Sequence, residues 1–212
     1  MKIFKKLFSK RFFENDIAVA LVCALIFTIF LTLAGFEVGC NELRGNVLRL
    51  HILANSNSDT DQSIKLEVRD AVLTASEKVF ESAKSKEDAL NLAKENVGLF
   101  KTAAEQKLKQ LGVNQSVTVK VEKTYFNTRE YENFTLPAGQ YDAVRVLLGN
   151  AEGKNWWCVM FPSMCIPAAA DEHSLTEAVD EKSAEIAENA PKYEIRFKIV
   201  EWYESIINWF AS

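Results

Sequence analysis

Twenty consecutive positions without a charge, Ile17 to Phe36, constrain this chain more than any other feature. As a helix rising about 1.5 Å per residue, the run covers roughly 30 Å, the thickness of a bilayer's hydrocarbon core. Lys2, Lys5, Lys6, Lys10 and Arg11 stand ahead of it. The positive-inside rule then assigns residues 1–16 to the cytoplasm as a basic tail and residues 37–212 to the outside. A secretory signal carries the same charges around a shorter apolar region of about 7–15 residues. Thr32-Leu33-Ala34 offers a passable cleavage site, so residues 17–36 read as an uncleaved transmembrane anchor or as a signal sequence. Glu37-Val38-Gly39-Cys40 is close to a lipoprotein cleavage box, but Glu37 occupies the place of an aliphatic residue, and lipidation is discounted. On either main reading the bulk of the protein works outside the cytoplasm.

That compartment governs the cysteines. Asn155-Trp156-Trp157-Cys158-Val159-Met160-Phe161-Pro162-Ser163-Met164-Cys165 packs two of four tryptophans and two of four cysteines into one short stretch. Fully extended, Cys158 to Cys165 would reach roughly 23 Å, whereas a disulfide needs Cα atoms about 4.4–6.8 Å apart. The pair closes only if the chain turns, and Pro162-Ser163 supplies turn residues. Extracytoplasmic thiols oxidise, so a Cys158–Cys165 disulfide is the leading reading. It would stabilise the fold by about 2.5 kcal/mol. A redox-active pair ranks below it because the spacing is not Cys-x-x-Cys. Zinc ranks lower still, since His51 and His173 fall at no ligand spacing from a cysteine.

Residues 37–212 are about one domain long. Setting aside the five N-terminal cations, Glu14 and Asp16 leaves 20 basic against 27 acidic residues, a net charge of about −7. That balance argues against nucleic acid. Val47 to Ala54 alternates as a strand, with Leu48, Leu50, Ile52 and Ala54 on one face and Arg49 and His51 on the other. The polar run Asn55 to Asp61 opens a helix carrying Ile64, Val68, Val72, Ala75 and Val79. A second helix is expected near Lys86 to Leu111, ended by Gly112. Val117 to Val121, Tyr141 to Leu148 and Trp156 to Phe161 read as strands, with Tyr125 to Gln140 an irregular aromatic connection. Ser174-Leu175-Thr176-Glu177 is a capping box for a helix to about Asn189. Beyond Pro191, Tyr193 to Ile199 alternates as a strand, and Trp202, Ile206 and Trp209 space a short amphipathic helix. The expected class is α+β: a small, mostly antiparallel sheet covered by two or three helices, behind the N-terminal apolar segment.

Chemistry is sparse. The chain has no Gly-x-Ser-x-Gly elbow, His-Glu-x-x-His or phosphate loop. Residues 55–66 alternate oxygen ligands like a calcium loop, but the sixth is Thr60 rather than glycine and the twelfth Leu66 rather than glutamate. His51 is a candidate general base, with Asp59, Asp61 or Asp70 to orient it, against a structural histidine on a strand face. Trp156 and Trp157 point to opposite faces if extended.

Two sequence blocks carry a resemblance. Arg49-Leu50-His51-Ile52-Leu53-Ala54-Asn55-Ser56-Asn57-Ser58, Asp61-Gln62, Lys65-Leu66 and Val68-Arg69-Asp70-Ala71-Val72 resemble the opening signature of the stage II sporulation protein R family. Leu136-Pro137-Ala138-Gly139-Gln140-Tyr141, Arg145-Val146 and Asn155 to Pro162 with Cys165 resemble its second signature. The resemblance implies a signal made in the forespore and exported between the forespore and mother-cell membranes. There it would activate a membrane-embedded aspartic protease of the mother cell, which processes the pro-form of the early mother-cell sigma factor. No enzymatic activity, cofactor, metal, nucleic acid or small-molecule substrate is expected. The expected partner-binding residues are Arg49, His51, Asn55 and Asp61 from the first block and Trp156, Trp157 and Phe161 from the second. The alternatives are an envelope hydrolase using His51 and a carboxylate, or a thiol oxidoreductase using Cys158 and Cys165.

Overall fold

A computed structural model describes residues 2–131, 133–162 and 179–211. Contacts divide the chain into two compact units, Met1–Gly39 and Cys40–Ser212. The first lies within one long helix, α1 (Lys2–Asn46), whose last residues belong to the second unit. Its Ile17–Asn46 portion is long and apolar enough to cross a membrane, a property shared by single-pass spans and signal sequences.

In the second unit, β1 (Leu48–Leu53) is followed by helices α2 (Asp59–Phe80), α3 (Lys86–Glu95) and α4 (Val97–Gln110). Strand β2 (Val117–Phe126), a short hairpin β3 (Arg129–Glu130) and β4 (Thr135–Leu136), and strands β5 (Gly139–Leu148) and β6 (Asn155–Phe161) come next. Helices α5 (Glu181–Glu188) and α6 (Ala190–Ala211) close the chain. The main sheet runs β2-β5-β1-β6. β1 lies parallel to β5, while the β1–β6 and β2–β5 pairs are antiparallel, so the α+β, mostly antiparallel expectation holds. A parallel pair needs a crossover, and α2 to α4 lie on that path.

Strand side chains alternate between faces. Leu48, Leu50 and Ile52 of β1 join Val144, Val146 and Leu148 of β5, Val117 and Val119 of β2, and Cys158 and Met160 of β6 on the face toward the helices. The helices answer with Ile64, Val68 and Val72, with Ala89 and Ala93, and with Phe100, Ala104 and Leu108. Each fully buried leucine or isoleucine contributes about 1.5–3 kcal/mol relative to solvent exposure.

Three local expectations need correction. The single helix over Lys86 to Leu111 is two, broken at Asn96, whose backbone N–H and Nδ2 both donate to Leu92 O, at 3.0 and 2.9 Å. An asparagine that satisfies a carbonyl this way competes with helix continuation. The expected strand over Tyr193 to Ile199 is the start of α6: Phe197 is buried while Ile195 is 77 % exposed, so the two do not share a face. Helix-favouring Glu194, Arg196, Lys198 and Glu201 outweigh the short alternation. The helix ending near Asn189 begins at Glu181, where Asp180 caps it by accepting from Ser183 N at 2.7 Å. The capping box at Ser174, like Ser163 and Cys165, lies outside the described residues.

Candidate functional site

The first sequence block builds a clamp on the β5–β6 turn. Asn55 Oδ1 accepts from Asn150 N at 2.9 Å, and Asn57 Oδ1 accepts from Lys154 N at 2.8 Å. Gly149 takes φ +56°, and a Cβ there would overlap the Asn55 side chain; one at Gly153 would overlap the Ser56 carbonyl. Asp61 holds the clamp from below. Its Oδ2 accepts from Ser56 Oγ at 2.6 Å and Asn55 Nδ2 at 2.9 Å, and its Oδ1 from Gln115 Nε2 at 2.7 Å. These bonds, led by Ser56, hold its carboxyl below the ordinary aspartate value. Ser58 caps α2 by accepting from Asp61 N at 3.1 Å. The side-chain oxygens of Asn55, Ser56, Asn57, Ser58 and Asp61 are therefore spent on backbone, on one another and on Gln115.

Odd-numbered residues of β1 face the other side of the sheet. Arg49 is fully buried there. Its guanidinium carbon lies 4.2 Å from the Phe126 ring centroid and 4.9 Å from that of Tyr141. Nε donates to Cys158 O at 3.3 Å and Nη2 to Tyr131 Oη at 2.5 Å, while Nη1 has no hydrogen-bond partner. Among the described residues no carboxylate lies within ion-pair distance of it. Burying a charge unpaired is costly, and the negative faces of the surrounding rings offset part of that cost. Tyr131 comes from the β3–β4 hairpin, so a segment without sequence periodicity closes the cage.

His51, also buried, sits beside this cage. Arg145 Nε donates to its Nδ1 at 3.3 Å, and Nε2 lies 2.9 Å from Asn155 Oδ1. An arginine can only donate, so Nδ1 accepts and Nε2 carries the proton. Burial lowers the imidazole's pKa, and nearby Arg145 and Arg49 push in the same direction against the Asn155 bond. The expected orienting carboxylates Asp59, Asp61 and Asp70 are not its partners. Arg145 is held instead by Glu122, at 2.5 Å. Its Nδ1 lone pair is turned to an arginine, and none of the carboxylates expected to orient it is its partner. The hydrolase expectation loses its support at this point.

The second block supplies β6, an edge strand of the main sheet among the described residues. Trp156 and Trp157 do point to opposite faces. Trp156 packs against the helical core under Arg69 of α2, whose guanidinium is 4.5 Å from its ring centroid. Trp157 packs edge-on to His51 and Phe126, with Arg129 of the hairpin at 4.3 Å. Both rings are half-buried. Phe161 is half-buried against the same core, and Cys158 is buried within it. Neither Cys23, which is exposed, nor Cys40, which is buried, is in a disulfide. Among the described residues no group of three or more His, Cys, Asp or Glu could hold a metal.

The seven expected contact residues thus divide. Arg49, His51 and Asp61 are buried and Asn55 is engaged in the clamp, whereas Trp156, Trp157 and Phe161 are half-buried on β6, the two tryptophans between two arginines. Periodicity alone gave no sign of Phe126, Tyr131, Gln115 or Arg129.

These features define a class: an α+β domain behind an apolar helix, with two separated sequence blocks meeting on adjacent strands β1 and β6. The chain belongs to the stage II sporulation protein R family, whose model matches residues 44–171. Over 214 residues it is 31 % identical to the stage II sporulation protein R of Bacillus subtilis (strain 168), covering 85 % of this chain and 96 % of that protein. No solved structure matches. Family membership assigns the chain a role in sporulation.

Proposed function

We propose that this chain is an intercompartmental sporulation signal that activates a membrane-embedded aspartic protease, which then processes the pro-form of the early mother-cell sigma factor. Residues 1–16 stay in the forespore cytoplasm, residues 17–36 anchor or export the chain, and the domain from residue 37 acts between the two membranes. The carrying observation is the match over residues 44–171, which spans both sequence blocks and every strand of the sheet. The contact surface is the β6 edge, with Trp156, Trp157 and Phe161 flanked by Arg69 and Arg129. Tryptophan and arginine are the residue types that dominate binding energy at protein interfaces. Arg49, His51, Asn55 and Asp61 hold that edge in place. A Cys158–Cys165 disulfide would fix the end of β6. An activator needs only a surface that binds the active state of its target more tightly than the inactive one.

The test is sigma-factor processing in a non-sporulating host that makes the protease and the pro-form. Processing that requires export of this chain supports the reading. A folded, exported chain that elicits no processing overturns it.

A further inference from the structure

Helix α6 has two apolar faces, and among the described residues only one of them is buried. Phe197 and Val200 are buried, and Glu204 pairs with Arg44 at 3.3 Å. Tyr125 and Gln140 reach Ser205 and Asn208 at 3.0 and 2.9 Å. At about 100° per residue, Ile195, Ile199, Trp202 and Ile206 fall on the opposite side. They are 77, 41, 69 and 37 % exposed, and Trp209 and Phe210 extend the stripe at 72 and 77 %.

We infer that this outer stripe of α6 lies in the interface of the bilayer that carries the chain's own apolar segment. The inference rests on the reading of residues 17–36 as a retained anchor. Three arguments on this chain favour lipid as the occupant, and a fourth sets the kind of attraction. Tryptophan and tyrosine are the residues enriched at membrane interfaces, and Trp202, Tyr203 and Trp209 lie on or beside the stripe. The helix cannot span, because Lys192, Glu194, Arg196, Lys198, Glu201 and Glu204 interrupt it, so an apolar face of this kind lies flat. Arg44, which holds Glu204, is only eight residues past Phe36, at most about 28 Å of chain. The bilayer is therefore within reach of α6. Finally, three cations balance three anions along the helix, so attraction rests on apolar burial rather than on anionic headgroups.

The full chain is reconstituted into phosphatidylcholine vesicles whose acyl chains are brominated near the headgroup, with no other protein present. All four tryptophans lie outside residues 17–36, so emission reports on the domain alone. Lipid quenching should remove the Trp202 and Trp209 share of the emission. Trp202→Phe with Trp209→Phe should cut the quenched component at least about twofold. Ile199→Glu with Ile206→Glu, on an exposed face, should abolish it while circular dichroism stays unchanged. Anionic lipid or added salt should change nothing. A chain that floats with the vesicles but shows equal quenching with and without Trp202 and Trp209 overturns this inference alone. A chain that does not float overturns the anchor and the inference together. Cross-linking between copies through Ile206→Cys, in place of quenching, assigns the stripe to a second copy and also overturns it.

Discussion

The two faces of the main sheet are buried to similar depth by different means. Toward α2, α3 and α4 the sheet presents aliphatic residues whose contribution scales with area removed from water. On the far face, Arg49, His51 and Arg145 meet Phe126, Tyr131, Tyr141 and Trp157 in a cation-rich aromatic layer. The first face makes the domain stable. The second gives up stability for a fixed arrangement behind the tryptophan edge, the kind of support that the proposed contact surface would need.

The sharpest contrast is between neighbours on β1. Leu50→Ala should cost about 2–5 kcal/mol by removing a fully buried side chain from the helical face, read as a lower denaturant midpoint. A loss under about 1 kcal/mol would mean that the helices do not pack as described. Asn55→Ala should come next, at about 1–3 kcal/mol, because it leaves Asn150 N and an Asp61 oxygen short of partners. Hydrogen exchange at Asn150 should rise with it; unchanged protection there would remove the clamp. Arg49→Met keeps much of the volume and deletes a buried charge that has no carboxylate partner among the described residues, so stability should move by no more than about 1 kcal/mol. A loss as large as that of Leu50→Ala would erase the distinction between the faces, making the cation a net stabiliser.

The smallest effect is a pH dependence. His51 binds a proton less readily in the folded chain than unfolded, so its contribution to stability is fully present above about 6.5, the ordinary histidine value, and lost as pH falls below it. Denaturation midpoints from pH 8 to pH 5, about 1.5 units either side of that value, should decline more steeply for the parent chain than for His51→Gln. Equal slopes would show that the imidazole does not titrate against its burial.

Much of this was legible in sequence. The period-two pattern over Val47 to Ala54 gave β1 and its faces, and the adjacent tryptophans could only diverge. The polar run after β1 announced a cap, and Ser58 is that cap. The apolar stripe of α3 and α4 hid its break, because one asparagine interrupts the backbone without disturbing the spacing of Ala89, Ala93, Phe100 and Ala104. In α6 a short alternation imitated a strand, since a helix with apolar residues on two opposite faces lacks the single stripe that periodicity detects. The aromatic cage stayed hidden for another reason. Arg49 and Tyr131 are 82 positions apart, and no local pattern reports which loop closes over a charge.

On the proposed reading, the arginine-flanked tryptophan edge acts on the protease while the buried layer only supports it. Sigma-factor processing by the exported chain carrying Arg69→Ala and Arg129→Ala, measured alongside its unfolding midpoint, separates these two roles and decides the claim. The two guanidiniums lie over half-buried rings, where each contributes about 0.5–1 kcal/mol. The midpoint should therefore fall by the equivalent of no more than about 2 kcal/mol, leaving the chain folded, while processing falls at least about tenfold, equivalent to about 1.4 kcal/mol of coupling. Processing at the parent level in a chain so altered would contradict the claim and move the contact surface elsewhere on the domain.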